Sequence, residues 1–187
     1  MSNIDEHILI FFHKTIHCDF LTDFFYIFVP HEFWLVVLLV FSLLNLFREG
    51  VLKIPVIAFV LAWQGGDFFS ALLKNIFNRP RPFVVEPWVT PLTFAVGPSL
   101  PSGHATISMA MAVVLGHHYP RFRVVFYLLA VLSGLSRVYL GVHYMSDVLA
   151  GFVLGGVVGW SSLILEKFIL SITQGVKMAV KRKAGRG

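Results

Sequence analysis

"LPSGHATISMAMAVVLG", residues 100–116, runs from a polar turn straight into a helix that belongs in lipid. Pro101, Ser102, Gly103 and His104 make the turn, and the apolar stretch begins at Ala105. The first N–H groups of a helix have no partner within it. Ser102 stands where an N-cap stands, and Gly103 lets an acceptor come close to the exposed amides. The start of this helix is therefore a natural anion site. A serine and a histidine at the lip of an apolar span direct attention to whatever else the chain brings to that lip.

The bulk composition agrees with a lipid setting. The chain has 187 residues, 57% of them hydrophobic and 13% charged, with a mean hydropathy of +0.78. A soluble domain carries about 25% charged residues. The expected class is an all-α polytopic membrane helix bundle forming a single domain over residues 1–187. Cys18 stands alone, so no intramolecular disulfide and no cysteine-based metal site are expected. Much of the net charge of +5 lies in Lys177, Lys181, Arg182, Lys183 and Arg186. This basic tail, 171–187, reads as a cytoplasmic anchor beside anionic lipid. No nucleic-acid partner and no obligate protein partner are expected. No basic stretch precedes the first apolar run, so no signal peptide is expected.

Five stretches suit a crossing helix: Glu32 to Leu46, Ile54 to Leu73, Ala105 to His117, Val124 to Leu140, and Val148 to Ile169. Asp67 interrupts the second. Residues 8–29 are rich in Phe, but Lys14, His17, Asp19 and Asp23 break them up. They read as an N-terminal amphipathic helix with a dipping segment, or alternatively as a sixth span. The expectation is five to six transmembrane helices, with residues 1–30 interfacial or a first span. Val124 to Phe168 as one helix would reach about 65 Å, twice the hydrocarbon thickness. The chain must turn there, and Gly141 is the expected place.

Basic residues set the topology. Arg48 and Lys53, Arg121 and Arg123, and the tail fall on one side by alternation, which is then cytoplasmic. The loops from Lys74 to His104 and from Arg137 to Asp147 share the opposite side. Lys74, Arg79 and Arg81 there defy the positive-inside rule, and a bound anion would account for them.

The residues on that face suit phosphate chemistry. Lys74 is a point charge, and Arg81 and Arg137 are planar forks that match phosphate oxygens. His143 and Asp147 are one helical turn apart. The carboxylate can accept the N–H of one imidazole nitrogen, fix the tautomer and leave the other nitrogen as a nucleophile. His104 arrives from another segment and can act as general acid.

"KNIFNRPRP" (74–82), "PSGH" (101–104) and "SRVYLGVHYMSD" (136–147) resemble the three-part signature of the type 2 phosphatidic acid phosphatase superfamily, K-x6-RP, PSGH and SR-x5-H-x3-D. All three parts match in order. The resemblance implies that His143 is a nucleophile forming a phosphohistidine, Asp147 its partner and His104 the acid for the leaving group. It also implies that Lys74, Arg81, Ser102, Gly103 and Arg137 cradle the phosphate, without metal or cofactor. The implied protein is an integral membrane lipid phosphatase, a metal-independent hydrolase whose partner is a lipid phosphate or diphosphate in the bilayer. Polyprenyl diphosphate, phosphatidylglycerophosphate, phosphatidate and lipid A phosphate present the same group.

The small size and short loops point to a bacterial inner membrane, with the site facing the periplasm or exterior. Two other functions use the same charges: an anion transporter, and a relative of the vanadium haloperoxidases, which share a similar motif. A histidine pair at the outer face argues against the first, since transport sites lie near the midplane. The apolar composition argues against the second. Arg79 has two readings, an arginine reaching to the interface or a phosphate ligand. Asp67 reads as functional or as satisfied by Gln64 and Ser70. His117 and His118 read as interfacial, and His7, His13, His17 and His31 are assigned no chemistry.

Overall fold

The computed structural model describes residues 3–28, 33–49 and 55–184. Glu32, His31, Lys53, Ile54 and Arg186, named above, lie outside them. The described chain is helical: α1 Asn3–Ile10, a π-helical turn Phe11–Thr15, α2 Asp19–Tyr26, α3 Phe33–Glu49, α4 Val56–Phe77, α5 Pro82–Val85, α6 Gly103–His118, α7 Arg123–Tyr139 and α8 Met145–Ala184. α4 runs unbroken through Asp67. It ends where Asn78 takes the left-handed conformation at φ 43° and donates its amide to the Lys74 carbonyl. The stretches Val56–Val85, Pro120–Tyr139 and Met145–Gly175 are long and apolar enough to cross a membrane. Phe33–Leu44 is a shorter apolar helix, and α6 has 16 residues, about 24 Å of helix. α8 has 40 residues, about 60 Å, so its far end runs well past a hydrocarbon layer of about 30 Å. The tail sequence continues this helix as far as Ala184.

α6 is the central helix, packed against α4, α7 and α8. Its residues are buried on every side, from Ala105 and Thr106 to Leu115 and Gly116, as expected of a helix without a polar stripe. α8 approaches it through Gly151, Gly155 and Gly159. A Cβ at Gly151 would lie 2.7 Å from the Ser102 carbonyl oxygen, and one at Gly159 2.8 Å from that of Ala110. Gly155 is tighter still, against Thr106. Lipid chains are as apolar as Leu, so burying apolar surface does not drive helices together in a membrane. Close backbone approach through small residues does. Buried hydroxyls add to the packing. Trp34 Nε1 donates to Ser108 Oγ at 2.9 Å, and Ser108 Oγ donates to Ser133 Oγ at 2.7 Å. These two bonds tie α3, α6 and α7.

The outward faces carry Leu39, Phe47, Val153 and Trp160, all exposed. That is the surface a helix bundle presents to acyl chains. α1 and α2 have 8 residues each, about 12 Å, too short to cross. Both fold back onto the bundle. Leu9 is fully buried among Val89, Ala105, Val138, Tyr144 and Val148. Phe25 and Phe28 pack on Tyr139, Leu140 and Val142.

Candidate active site

Antiparallel neighbours bring alternate helix ends to one end of a bundle. Here these are the C-termini of α4 and α7 and the N-termini of α6 and α8. Lys74 and Arg137 lie in the last turns of α4 and α7, and Asp147 in the first turn of α8. Each charge opposes the local helix dipole. The turn between α7 and α8 is made by Gly141 at φ +74°, the left-handed region where glycine meets no Cβ penalty. The Arg137 carbonyl accepts from the amides of Val142 at 3.1 Å and His143 at 3.2 Å, so the turn is held by the residue that supplies the guanidinium.

His143 is 2% exposed and Asp147 fully buried. His143 Nδ1 lies 3.4 Å from Asp147 Oδ2, close but without the alignment of a full hydrogen bond. Catalytic hydrogen bonds of unliganded sites are often long and tighten on binding. Asp147 is itself fixed: Oδ2 accepts from the Tyr144 amide at 2.9 Å, and Oδ1 accepts from Arg79 Nη1 at 2.6 Å. The other imidazole nitrogen, Nε2, is 3.3 Å from Arg81 Nη1. Burial drives the His143 pKa down, to about 4, against the upward pull of Asp147, and Arg81 and Arg137 push the same way as burial. The imidazole is therefore neutral at pH 7.

A cavity of about 230 Å³ opens in front of this imidazole, lined among others by Lys74, Arg81, Gly103, His104, Arg137 and His143. The two arginines differ. Arg81 Nε donates to the Gly97 carbonyl at 2.9 Å, Nη1 to that of Val142 at 2.9 Å and Nη2 to that of Val96 at 2.8 Å. Most of its fork is spent holding loop and turn. Arg137 is 3% exposed, and its Nε and Nη1 are buried without a hydrogen-bond partner. A buried cation with unspent donors costs several kcal/mol unless an anion meets it. A Cβ on Gly103 would stand 3.4 Å from Ser70 Oγ and 3.9 Å from Lys74 Nζ, so the glycine keeps the lysine's side of the cavity open.

Ser102 and Asp147 form the layer behind. Ser102 Oγ accepts from the Ala105 amide as the N-cap of α6, and the Ser102 amide donates to the Asp147 carbonyl at 3.0 Å. All eight residues singled out in the sequence thus meet at one end, six on the cavity wall and two directly behind it.

Asp67 also lines the cavity. Ser70 Oγ donates to its main-chain oxygen at 3.0 Å. Arg79 does neither thing read from the sequence. It bridges Asp147 and Asp5, donating to Asp5 Oδ2 at 2.9 Å and lying 4.2 Å over the Tyr144 ring. Asp5 was not legible as a site residue, since a lone acid in a short amphipathic helix carries no local signal. Burial works to raise its pKa, but hydrogen bonds from Ser146 and Arg79 outweigh burial and hold the carboxyl below its ordinary value.

The chain is similar to known proteins. Residues 54–169 match the PAP2 superfamily, more than half of the chain, and the chain belongs to it. A lipid A 4'-phosphatase of Bacteroides thetaiotaomicron is 30% identical over 171 residues, covering 86% of this chain and 76% of that one. A lipid A 1-phosphatase of Rhizobium etli is 35% identical over 121 residues, covering 57% of this chain and 51% of that one. The chain thus spans about half the length of some of the curated relatives it matches. The crystal structure of a transmembrane PAP2-type phosphatidylglycerolphosphate phosphatase from Bacillus subtilis superposes with a TM-score of 0.67 at 25% identity, covering 90% of this chain and 89% of that chain. With its apolar helices, the chain is an integral membrane protein.

Proposed function

We propose that this protein is a metal-independent lipid phosphatase working through a phosphohistidine. The observation that carries the reading is a buried His143 on the wall of a cavity, with Nδ1 beside Asp147 and Nε2 beside Arg81, next to Arg137, a buried guanidinium with unspent donors. Nε2 attacks phosphorus, the N–P bond forms and the bond to the lipid oxygen breaks. His104 gives its proton to that oxygen. Water then attacks phosphorus, His104 takes a proton back, the N–P bond breaks, and inorganic phosphate leaves with His143 neutral again. Asp147 stabilises the imidazolium side of the cycle. Lys74, Arg81, Arg137, Gly103 and the capped start of α6 at Ser102 balance the charge that grows on the phosphoryl oxygens. A transporter needs no nucleophile, and this one is built with a partner carboxylate behind it.

The substrate is a lipid phosphate or diphosphate, and the names of the relatives support that class. In mixed micelles with EDTA, at least one of phosphatidylglycerophosphate, phosphatidate, polyprenyl diphosphate and lipid A phosphate is expected to release phosphate. Its kcat/KM is expected to exceed that of a soluble aryl phosphate by about 100-fold, since binding of the remote chain is spent on the reacting centre. Release from none of them, or activity that EDTA abolishes and magnesium restores, overturns the reading.

We place the protein in a bacterial inner membrane with the site toward the periplasm or exterior, supported by Arg121, Arg123 and the basic tail at the opposite end. In a Cys18→Ser background, Thr90→Cys, exposed in the loop beside the site, is expected to react with an impermeant thiol reagent in intact cells with permeabilised outer membranes. Arg121→Cys, exposed in the turn before α7, is expected not to. The reverse labelling pattern refutes the orientation.

A further inference from the structure

The N-terminal segment lies outside the residues that match the superfamily, 54–169, yet it touches the catalytic turn directly. Asp5 is 4% exposed. Its Oδ1 accepts from the Ser146 amide at 3.0 Å in the first turn of α8. Its Oδ2 accepts from Ser146 Oγ at 2.6 Å and from Arg79 Nη2 at 2.9 Å. Arg79 Nη1 donates to Asp147 Oδ1 at 2.6 Å and to Ser146 Oγ at 2.6 Å. The chain of contacts runs Asp5, Arg79, Asp147, His143, from a residue at the start of the chain to the imidazole. Leu9, fully buried beside Ala105 and Tyr144, keeps α1 in place. His13 Nδ1 lies 3.3 Å from the Tyr139 carbonyl, and its ring packs where a side chain on Gly141 would stand.

We propose that Asp5 is a positioning residue that acts on the Asp147–His143 pair through Arg79. Arg79 is offered two carboxylates and divides its guanidinium between them, one nitrogen to each. Asp147 then presents Oδ1 to Arg79 and keeps Oδ2 for the Tyr144 amide and His143. Remove the charge on Asp5 and Arg79 has a single carboxylate to serve. It turns onto Asp147 as a two-pronged pair, the preferred geometry of an arginine with one carboxylate, and draws Oδ2 from the imidazole. The nucleophile loses its orienting partner, while the phosphate-binding cations Lys74, Arg81 and Arg137 are untouched. The amphipathic helix at the start of the chain is in this way part of the catalytic apparatus. The inference rests on the phosphatase reading above.

The test is kinetic, on the full chain in detergent with the best lipid phosphate, and all rates are taken per folded protein counted by size exclusion and unfolding amplitude. Asp5→Asn is expected to lower kcat about 10- to 100-fold, the size of effect seen when the orienting partner of a reacting ligand is removed. KM and competitive inhibition by inorganic phosphate are expected to stay within about twofold, because the cradle is intact. Asp5→Glu is expected to recover most of kcat. Ser146→Ala, which removes one hydroxyl from between Asp5 and Arg79, is expected to lower kcat about threefold or more and keeps the inference testable where Asp5→Asn does not fold. A purely structural anchor would lower the folded fraction or the melting temperature and leave kcat per folded protein unchanged, which overturns the inference. A loss that appears in KM overturns it too. Wild-type turnover with unchanged variants refutes this inference alone; absence of wild-type turnover on every lipid phosphate refutes the function and the inference with it.

Discussion

His143→Ala is expected to lose turnover by about 10⁴-fold or more, the loss seen when a covalent nucleophile is removed and only binding and charge stabilisation remain. The variant is expected to fold. The His143 side chain has two close polar neighbours, Arg81 and Asp147, while the turn itself is held by main-chain bonds to the Arg137 carbonyl. Wild type alone is expected to yield a covalent phosphoenzyme that is labile in acid and stable in base, as a phosphoramidate is. Activity above a few per cent in the variant, or an equal amount of phosphoenzyme, contradicts the assignment.

The same histidine gives a sign for pH. Its folded pKa is about 4, below the ordinary value of about 6.5, so the unfolded chain binds this proton more readily. The stability held by the neutral imidazole is complete above about pH 6.5 and is lost progressively as pH falls toward 4. Wild type is expected to lose more stability over that interval than His143→Gln does, measured by denaturant unfolding in detergent. Parallel curves would show that the imidazole is not held neutral.

Arg137→Met is expected to separate function from stability in opposite directions. The guanidinium is buried with Nε and Nη1 unpartnered. It is retained at a cost that an apolar side chain of similar length would not incur. Two unsatisfied buried donors cost about 1–3 kcal/mol each, and in a chain of this size each kcal/mol moves the melting temperature by about 2–4 °C. The variant is expected to melt several degrees higher than wild type in the absence of phosphate. It is also expected to lose about 10²–10³-fold in kcat/KM, as when one donor to a developing oxyanion is removed. Inorganic phosphate is expected to raise the melting temperature of wild type and not of the variant. A variant that is both less stable and comparably active would show that Arg137 is spent on the fold and leave the phosphate without its fork.

Much of this was readable along the chain. The helix that opens at Gly103 was announced by a cap, a glycine and an apolar run, all within a few residues of one another. That the chain turns between Val124 and Phe168 follows from length, since one helix over that range is too long for a bilayer, and the glycine marks Gly141 as the place. The eight candidate site residues stood together in the sequence because three short motifs carry them in order, and the parity of crossing helices sends their ends to one side. The span read from Val148 to Ile169 lies within α8, whose helix runs on to Ala184, because a helix does not have to stop where the lipid does.

The division of labour among the charges was decided only in three dimensions. From sequence, Arg81 reads as a phosphate fork, and Arg79 as either an interfacial arginine or a phosphate ligand. In the structure Arg81 holds carbonyls of the loop and turn, Arg79 belongs to a carboxylate pair, and Arg137 keeps free donors for an anion. Which of these an arginine does depends on the carbonyls and carboxylates within about 3 Å of it, and those come from other helices. Asp5 and Arg79 are 74 residues apart, and Asp5 and Ser146 are 141 apart. Patterns of period 3.6 report which face of a helix is apolar, so sequence determined the spans and the face on which chemistry sits. They say nothing about which charge across that face will find which partner, and that the packing of α1 against the start of α8 alone decided.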